Sequence, residues 1–185
     1  MDETHLIEST ISEKKIFDGD ILHVRVDQIL LPNGLPATRE IIRHIGAVCV
    51  LPLTSDEKVV MERQYRYPVA RILREIPAGK LDSADEPPLD AVKRELREET
   101  GYEASEWISL GKILPAPAYC DEILYLYLAL GLHAGSQELD SDEFLDVETV
   151  PLSELVEDVM NGKIEDAKTQ IAVLKTWNLL KKRNN

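Results

Sequence analysis

Residues 79–102 constrain this chain more than any other stretch: Gly-Lys-Leu-Asp-Ser-Ala-Asp-Glu-Pro-Pro-Leu-Asp-Ala-Val-Lys-Arg-Glu-Leu-Arg-Glu-Glu-Thr-Gly-Tyr. Residues 88–100 read as a helix, and Gly101 ends it. At about 100° per residue, Leu89, Val92 and Leu96 form one apolar stripe. Glu95 and Glu99 stack on one face beside that stripe, with Glu98 next to them. Like charges at this spacing weaken a helix slightly, and a hard cation between them reverses the sign, because oxygen ligands suit Mg²⁺. A bare glutamate pair on a helix is ordinarily a solvated face. Here the carboxylates border the core stripe and a glycine-bearing loop precedes them, which raises metal binding to an equal reading.

Around this helix the sequence reads as β structure. Segments 12–17 and 21–30 flank Asp18-Gly19-Asp20, a turn signal, and a second turn at Pro32-Asn33-Gly34 precedes a strand at 37–43. So small a sheet has too little apolar area to stand alone. Strands at 46–52 and 58–65 read more strongly, and Pro68 and Pro77 punctuate the stretch between them and the helix. Further strands are expected at 106–113, 122–130 and 145–149, and helices at 152–160 and 166–182. The fold class is α+β, with helices packed on a sheet. No internal repeat or low-complexity segment interrupts it.

The chain has 185 residues, enough for one medium domain or one domain with a small appendage. It contains no 18-residue apolar run, so no membrane span is expected. The start has no basic region followed by an apolar stretch, so no secretory signal is expected either. Cys49 and Cys120 lie in or beside apolar segments and read as buried free thiols, and a cytoplasmic location follows by default. A net charge of −13 excludes a general nucleic-acid binder. An acidic substrate would need divalent cations or clustered arginines; the carboxylates at 95–99 and Arg63, Arg66, Arg71 and Arg74 offer both. His5, His23, His44 and His133 show no metal spacing. Trp107 and Trp177 read as core, as do Tyr65 and Tyr67, which alternate along a strand.

At these residues the chain resembles the Nudix hydrolase family. The family pattern is Gly, five residues, Glu, seven residues, Arg-Glu, an aliphatic, any residue, Glu-Glu, any residue, Gly, then an aliphatic or aromatic. Arg94, Glu95, Leu96, Glu98, Glu99, Gly101 and Tyr102 match it, and Glu86 keeps its interval to Arg94. Gly79 and Glu86 are separated by six residues instead of five, so one extra residue sits in loop 80–85, and either Asp85 or Glu86 takes the first-glutamate role, with Glu86 favoured. The resemblance implies the Nudix fold, an α/β/α sandwich in which a mixed sheet is packed between helices. It also implies Mg²⁺, with Mn²⁺ as a substitute, bound by Glu95, Glu99 and the carbonyl of Ala78. Glu98 joins that catalytic set, and Gly79, Glu86 and Arg94 support the motif.

The flanks look like the branch of the family that hydrolyses ADP-ribose and other nucleoside diphosphate sugars. Gln64-Tyr65-Arg66-Tyr67-Pro68-Val69 and Glu75-Ile76-Pro77-Ala78-Gly79 precede the motif; Pro115-Ala116-Pro117 and Asp142-Glu143-Phe144 come after it. By that resemblance Arg66 contacts the diphosphate or adjoining ribose. Glu75 and Pro117 belong to substrate binding, and Glu143 is a base or an extra metal ligand. The expected reaction is cleavage of ADP-ribose to AMP and ribose 5-phosphate. A GDP-mannose or broader sugar-nucleotide hydrolase, or a non-catalytic nucleotide-sugar-binding regulator, are the alternatives. Residues 1–43 are expected to form an N-terminal β region for homodimerisation and 44–185 the hydrolase domain; no nucleic acid or membrane is expected as a partner.

Overall fold

The computed structural model describes residues 2–141 and 143–183. The chain divides into two compact units. One comprises the chain up to Ile45 together with Leu114–Ile123, and the other comprises Gly46–Ile113 and the chain from Leu124 onward.

In the first unit, β1 (Ser9–Asp18), β2 (His23–Leu30) and β3 (Pro36–Arg43) form an antiparallel sheet in that order. The tip between β1 and β2 closes with Gly19 N–H donating to the Leu22 carbonyl at 3.0 Å. Ile21 and Leu22 therefore belong to the turn and not to β2, as their apolar character had suggested. Asn33 Oδ1 accepts the Leu35 N–H at 3.1 Å in the second turn, where Gly34 takes φ +81°. The segment Leu114–Ile123 is tied to the end of β3. Ile42 N–H donates to the Tyr119 carbonyl at 2.7 Å, and Arg43 Nη1 meets Asp121 Oδ2 at 2.9 Å. The chain therefore enters this unit twice.

The second unit holds two sheets. In one, β4 (Ala47–Pro52) lies between β7 (Ala78–Lys80) and β9 (Leu124–Ala134), and β8 (Tyr102–Ile113) pairs the far side of β9. The β4–β9 ladder is parallel and the others antiparallel, so the sheet is mixed. In the other, β5 (Lys58–Arg66) is flanked by β10 (Leu145–Pro151) and β6 (Arg71–Glu75). All six residues of β4 are buried, because both of its faces are covered. Val48 and Val50 pack with Val92 and Leu96 of α1 (Pro88–Thr100). Ala47, Cys49 and Leu51 face the opposite way, toward α2 (Leu152–Met160) and α3 (Ala167–Arg183). Helices thus cover both faces of a mixed sheet, the expected α/β/α layering. No helix among the described residues is long and apolar enough to cross a membrane.

Several expectations are corrected. Strands β6 and β7 were not foreseen, because Pro68 and Pro77 read as punctuation. β8 starts earlier than expected, at Tyr102, and β9 runs from Leu124 to Ala134, starting two residues later and ending four later than expected. Leu89 is 36% exposed, so the buried stripe of α1 is Ala91, Val92, Glu95, Leu96 and Glu99, with the acids inside it rather than beside it. Tyr65 and Tyr67 are 52% and 84% exposed, since Tyr67 leaves the strand for a 3-10 turn over Tyr67–Val69. Trp107 and Trp177 are partly buried against the two cores. Cys49 is buried, with its thiol pushed up to about 12 by burial, and Cys120 is half-buried; both are free.

Candidate active site

Helix α1 stops where it must. Gly101 takes φ +71°, its N–H donates to the Arg97 carbonyl at 2.8 Å, and a Cβ there would meet Gln137 N at 2.8 Å. That stop fixes the register of Glu95 and Glu99, which are 8% and 4% exposed on the buried face. The β7 backbone comes directly over them. A Cβ on Gly79 would stand 2.0 Å from the Glu95 carboxyl carbon, so any larger residue displaces the Glu95 carboxylate. The Ala78 N–H donates to Glu99 Oε2 at 3.0 Å.

Arg94 ties the preceding loop to the helix. Its Nη1 donates to Glu95 Oε1 at 2.8 Å and to Glu98 Oε2 at 3.2 Å, and its Nη2 approaches Glu86 Oε1 at 3.4 Å. Glu86 Oε2 accepts the Asp82 N–H at 2.6 Å, whereas Asp85 is exposed. Glu86 is thus the glutamate that closes the loop, and the extra residue is absorbed before it.

A second group faces the site from β5, β6 and α3. Arg66 donates Nε and Nη2 to the two oxygens of Glu75 at 2.8 and 2.9 Å, a bidentate fork. The Lys168 ammonium also bonds Glu75, and it meets Asp166 Oδ1 at 3.0 Å. Asp166 caps α3 by accepting the Thr169 N–H at 2.9 Å. The four arginines do not act as one cluster. Strand pairing sends Arg74 to Glu148 and Asp158, and Arg71 meets Glu165 at 2.7 Å.

Glu62, on β5, was not singled out from the sequence. It lies opposite Glu75 in the β5–β6 register, is 3% exposed, and its Oε1 has no hydrogen-bond partner among the described residues. The available signal was an acid directly following Val59-Val60-Met61 in a buried strand. Burial pushes Glu62 up to about 8; the Lys168 charge opposes this and the Glu75 charge adds to it. Burial likewise lifts Glu95 to about 7 against Arg94, with Glu98 and Glu143 adding. Glu99 is raised well above the usual carboxylate range by burial, then by the charges of Glu62, Glu95 and Glu143. Glu143, half-buried, accepts the Asp140 N–H on Oε2 at 3.3 Å, and Asp142 beside it lies outside the described residues. Glu143 also lines a surface pocket of about 400 Å³ with Tyr65, Ile72 and Phe144. Of the residues expected at the site, Pro117 alone belongs to the other unit, where it is exposed and lines a pocket with Arg39 and Tyr119.

The donor set suits a hard divalent cation. Every side chain that could hold one here is an oxygen donor, the buried negative charge exceeds the positive charge beside it, and Gly79 keeps the space over Glu95 clear of a Cβ. Among the described residues no three acidic, histidine or cysteine side chains are arranged as a metal cage; Arg94 and the Ala78 amide hold Glu95 and Glu99.

The NUDIX domain model matches residues 43–171, and the nucleoside diphosphate sugar hydrolase N-terminal domain model matches residues 8–42. The chain belongs to the Nudix hydrolase family, whose members use divalent metal. It is 43% identical to a methanol dehydrogenase activator of Bacillus methanolicus over 90% of each chain. It is 41% identical to an ADP-ribose pyrophosphatase of Bacillus subtilis over 91% of each. With an ADP-ribose pyrophosphatase of Mycobacterium tuberculosis it shares 39% identity, over 84% of this chain and 76% of the relative. The solved structure of an ADP compounds hydrolase has the same fold, with a TM-score of 0.85, 23% identity and 95% coverage of each chain.

Gly79→Ala tests the close approach of β7 to α1. Glu95 must move to admit the methyl group, so hydrolytic kcat should fall about 10²-fold while the melting transition persists. Unchanged kcat would show that the glycine is not needed for the Glu95 position.

Proposed function

We propose that this chain hydrolyses the pyrophosphate bond of ADP-ribose, giving AMP and ribose 5-phosphate, or that of a related nucleoside diphosphate sugar, with Mg²⁺ (or Mn²⁺) as cofactor. The observation that carries this is the pairing of two buried acids on α1 with a guanidinium locked by Glu75. The 41% and 39% identities to ADP-ribose pyrophosphatases support the substrate class, and more distant GDP-mannose pyrophosphatases, one of them 30% identical, support the sugar-nucleotide alternative.

Glu95, Glu99 and the Ala78 carbonyl hold the cation, and Glu98 belongs to the same set. When bound, the ion supplies charge neutralisation of the diphosphate and a lowered pKa for a coordinated water. Arg66 binds the diphosphate or adjoining ribose with the part of its guanidinium that Glu75 leaves uncovered. Glu75 orients the arginine through both of its oxygens, and Oε1, which accepts from Arg66 alone, keeps acceptor capacity for a ribose hydroxyl. Gly79, Glu86 and Arg94 keep loop and helix in register. Glu143 takes up a proton from the attacking water or holds cation at the loop. The working location is the cytoplasm.

The 43% identity to a methanol dehydrogenase activator supports a second reading, action on a partner enzyme. Incubation with ADP-ribose, GDP-mannose, ADP-glucose and NADH, each with and without Mg²⁺, separates the readings. ADP-ribose should give AMP and ribose 5-phosphate as first products, and EDTA should stop turnover. No turnover of any of the four with Mg²⁺ present would leave only the second reading.

Glu143→Gln should lower kcat more than it raises KM, because a base or loop ligand acts mainly in the transition state. A change in KM alone would assign Glu143 to substrate binding.

The N-terminal sheet serves dimerisation. Every residue of β1 is exposed, including Ile11, Ile16 and Phe17, and the strand is an unpaired edge of its sheet. Proteins cover such edges, and a second copy is the commonest cover. Light scattering should give twice the 20.9 kDa chain mass; a fully active monomer at micromolar concentration would defeat the dimer.

A further inference from the structure

Glu62 is a carboxylate at the end of a fully buried apolar run of β5. Its neighbours on β5, Val59, Val60 and Met61, are all 0% exposed, and Glu62 itself is 3% exposed. An apolar side chain would fill that place without the cost of burying a charge. Buried polar atoms are normally hydrogen-bonded, yet Glu62 Oε1 has no partner among the described residues. The two nearest cations are engaged elsewhere: the Arg66 fork is on Glu75, and Lys168 bridges Glu75 and Asp166. Its cross-strand partner is another acid, Glu75, and like charges directly opposite one another destabilise a sheet. The charges of Glu99 and Glu143 lie near enough to act on the same cluster.

One kind of ligand resolves all of this. We infer that Glu62 is part of the cation-binding set, so that the metal centre draws a carboxylate from strand β5 as well as those of helix α1. The inference rests on reading Glu95 and Glu99 as cation ligands. The ligand class is a hard divalent ion, Mg²⁺ or Mn²⁺, since the donors are oxygens throughout. Mg²⁺ keeps several waters, and Glu62 engages the ion itself or one of those waters; in both cases affinity depends on the Glu62 charge.

The test is binding of Mn²⁺ to the full metal-free chain without substrate, followed by the electron paramagnetic resonance of free Mn²⁺, together with the melting temperature of the metal-free protein. Glu62→Gln keeps the size and removes the charge, so Mn²⁺ affinity should fall about tenfold or more. Metal-free Glu62→Gln and Glu62→Leu should melt at or above the wild-type temperature, because a buried repulsion has been removed. Wild-type Mn²⁺ affinity in Glu62→Gln overturns the proposal. So does a lower melting temperature or failure to fold in metal-free Glu62→Leu, which would make the carboxylate a part of the fold. Glu99→Gln separates this from the underlying reading. Unchanged Mn²⁺ binding in Glu99→Gln removes the α1 site itself, whereas loss there with wild-type binding in Glu62→Gln removes only the role of Glu62.

Discussion

Helix α1 buries two glutamates in the same stripe as Ala91, Val92 and Leu96, and much of the second unit is arranged around that placement. A buried carboxylate without compensation is among the most expensive groups a fold can carry. Compensation here comes from local and unequal sources. Arg94 reaches Glu95, and the Ala78 amide reaches Glu99. The Ala78 contact depends on β7 running close over the helix, where Gly79 has no side chain to displace Glu95. The β4–β7 ladder holds that strand by pairing Val48 with Gly79 and Cys49 with Ala78. Sheet, glycine and helix are thus one mechanical arrangement, and a shift in any of them reaches the carboxylates.

The second arrangement runs through α3. The Asp166 cap on Thr169 fixes the first turn of the helix, and Thr169 Oγ1 accepts the Ile76 N–H at 3.0 Å just before β7 begins. Lys168, one residue earlier, is thereby held against Glu75, and Glu75 in turn holds Arg66. An arginine with both oxygens of a buried carboxylate on one edge has lost most of its side-chain freedom before any ligand arrives. Its remaining donors are then presented at little further entropic cost. The orientation of Arg66 on β5 is therefore set by a helix more than a hundred residues later in the chain, through a single buried acid.

The motif helix was legible because period, stop residue and acid spacing all point the same way between residues 88 and 101. The central strands were legible because β4 is a continuous apolar run. What failed did so for identifiable reasons. Pro68 and Pro77 hid two strands because both lie outside them, Pro68 in the turn before Arg71–Glu75 and Pro77 between that strand and Ala78–Lys80. Leu89 satisfied the apolar period but sits in the first turn of the helix and is 36% exposed. Tyr65 and Tyr67 obeyed strand alternation until the chain turned at Pro68. Glu62 was illegible as a site residue because its meaning lies in the register with Glu75 and in the absence of a partner for its oxygen, neither of which a sequence displays. Arg66 and Glu75 were legible as residues, but their mutual fork was not, and the fork changes the role that Glu75 can play.

Charge explains why a cation and a fixed guanidinium belong together at such a site. The chain carries a net charge of −13, and the region around α1 and β5 concentrates Glu62, Glu75, Glu95, Glu98, Glu99 and Glu143. Against these stand Arg66, Arg94 and Lys168, each already paired with at least one acid. An anionic diphosphate approaching this surface meets repulsion of the same sign as its own charge. Raising the number of fixed basic residues would remove that repulsion permanently, and would also bind products and unrelated anions as well as substrate. Under the proposed function, acids that are costly while uncompensated, and stabilised once a divalent ion is present, make the affinity for the anion conditional on the ion. The same coupling stabilises the fold, because anything bound to the native state and not to the unfolded chain shifts the equilibrium toward the native state, by about 2.7 kcal/mol at a hundredfold excess over Kd. In the proposed metal site the buried carboxylates are a weakness of the metal-free fold that a bound divalent ion relieves.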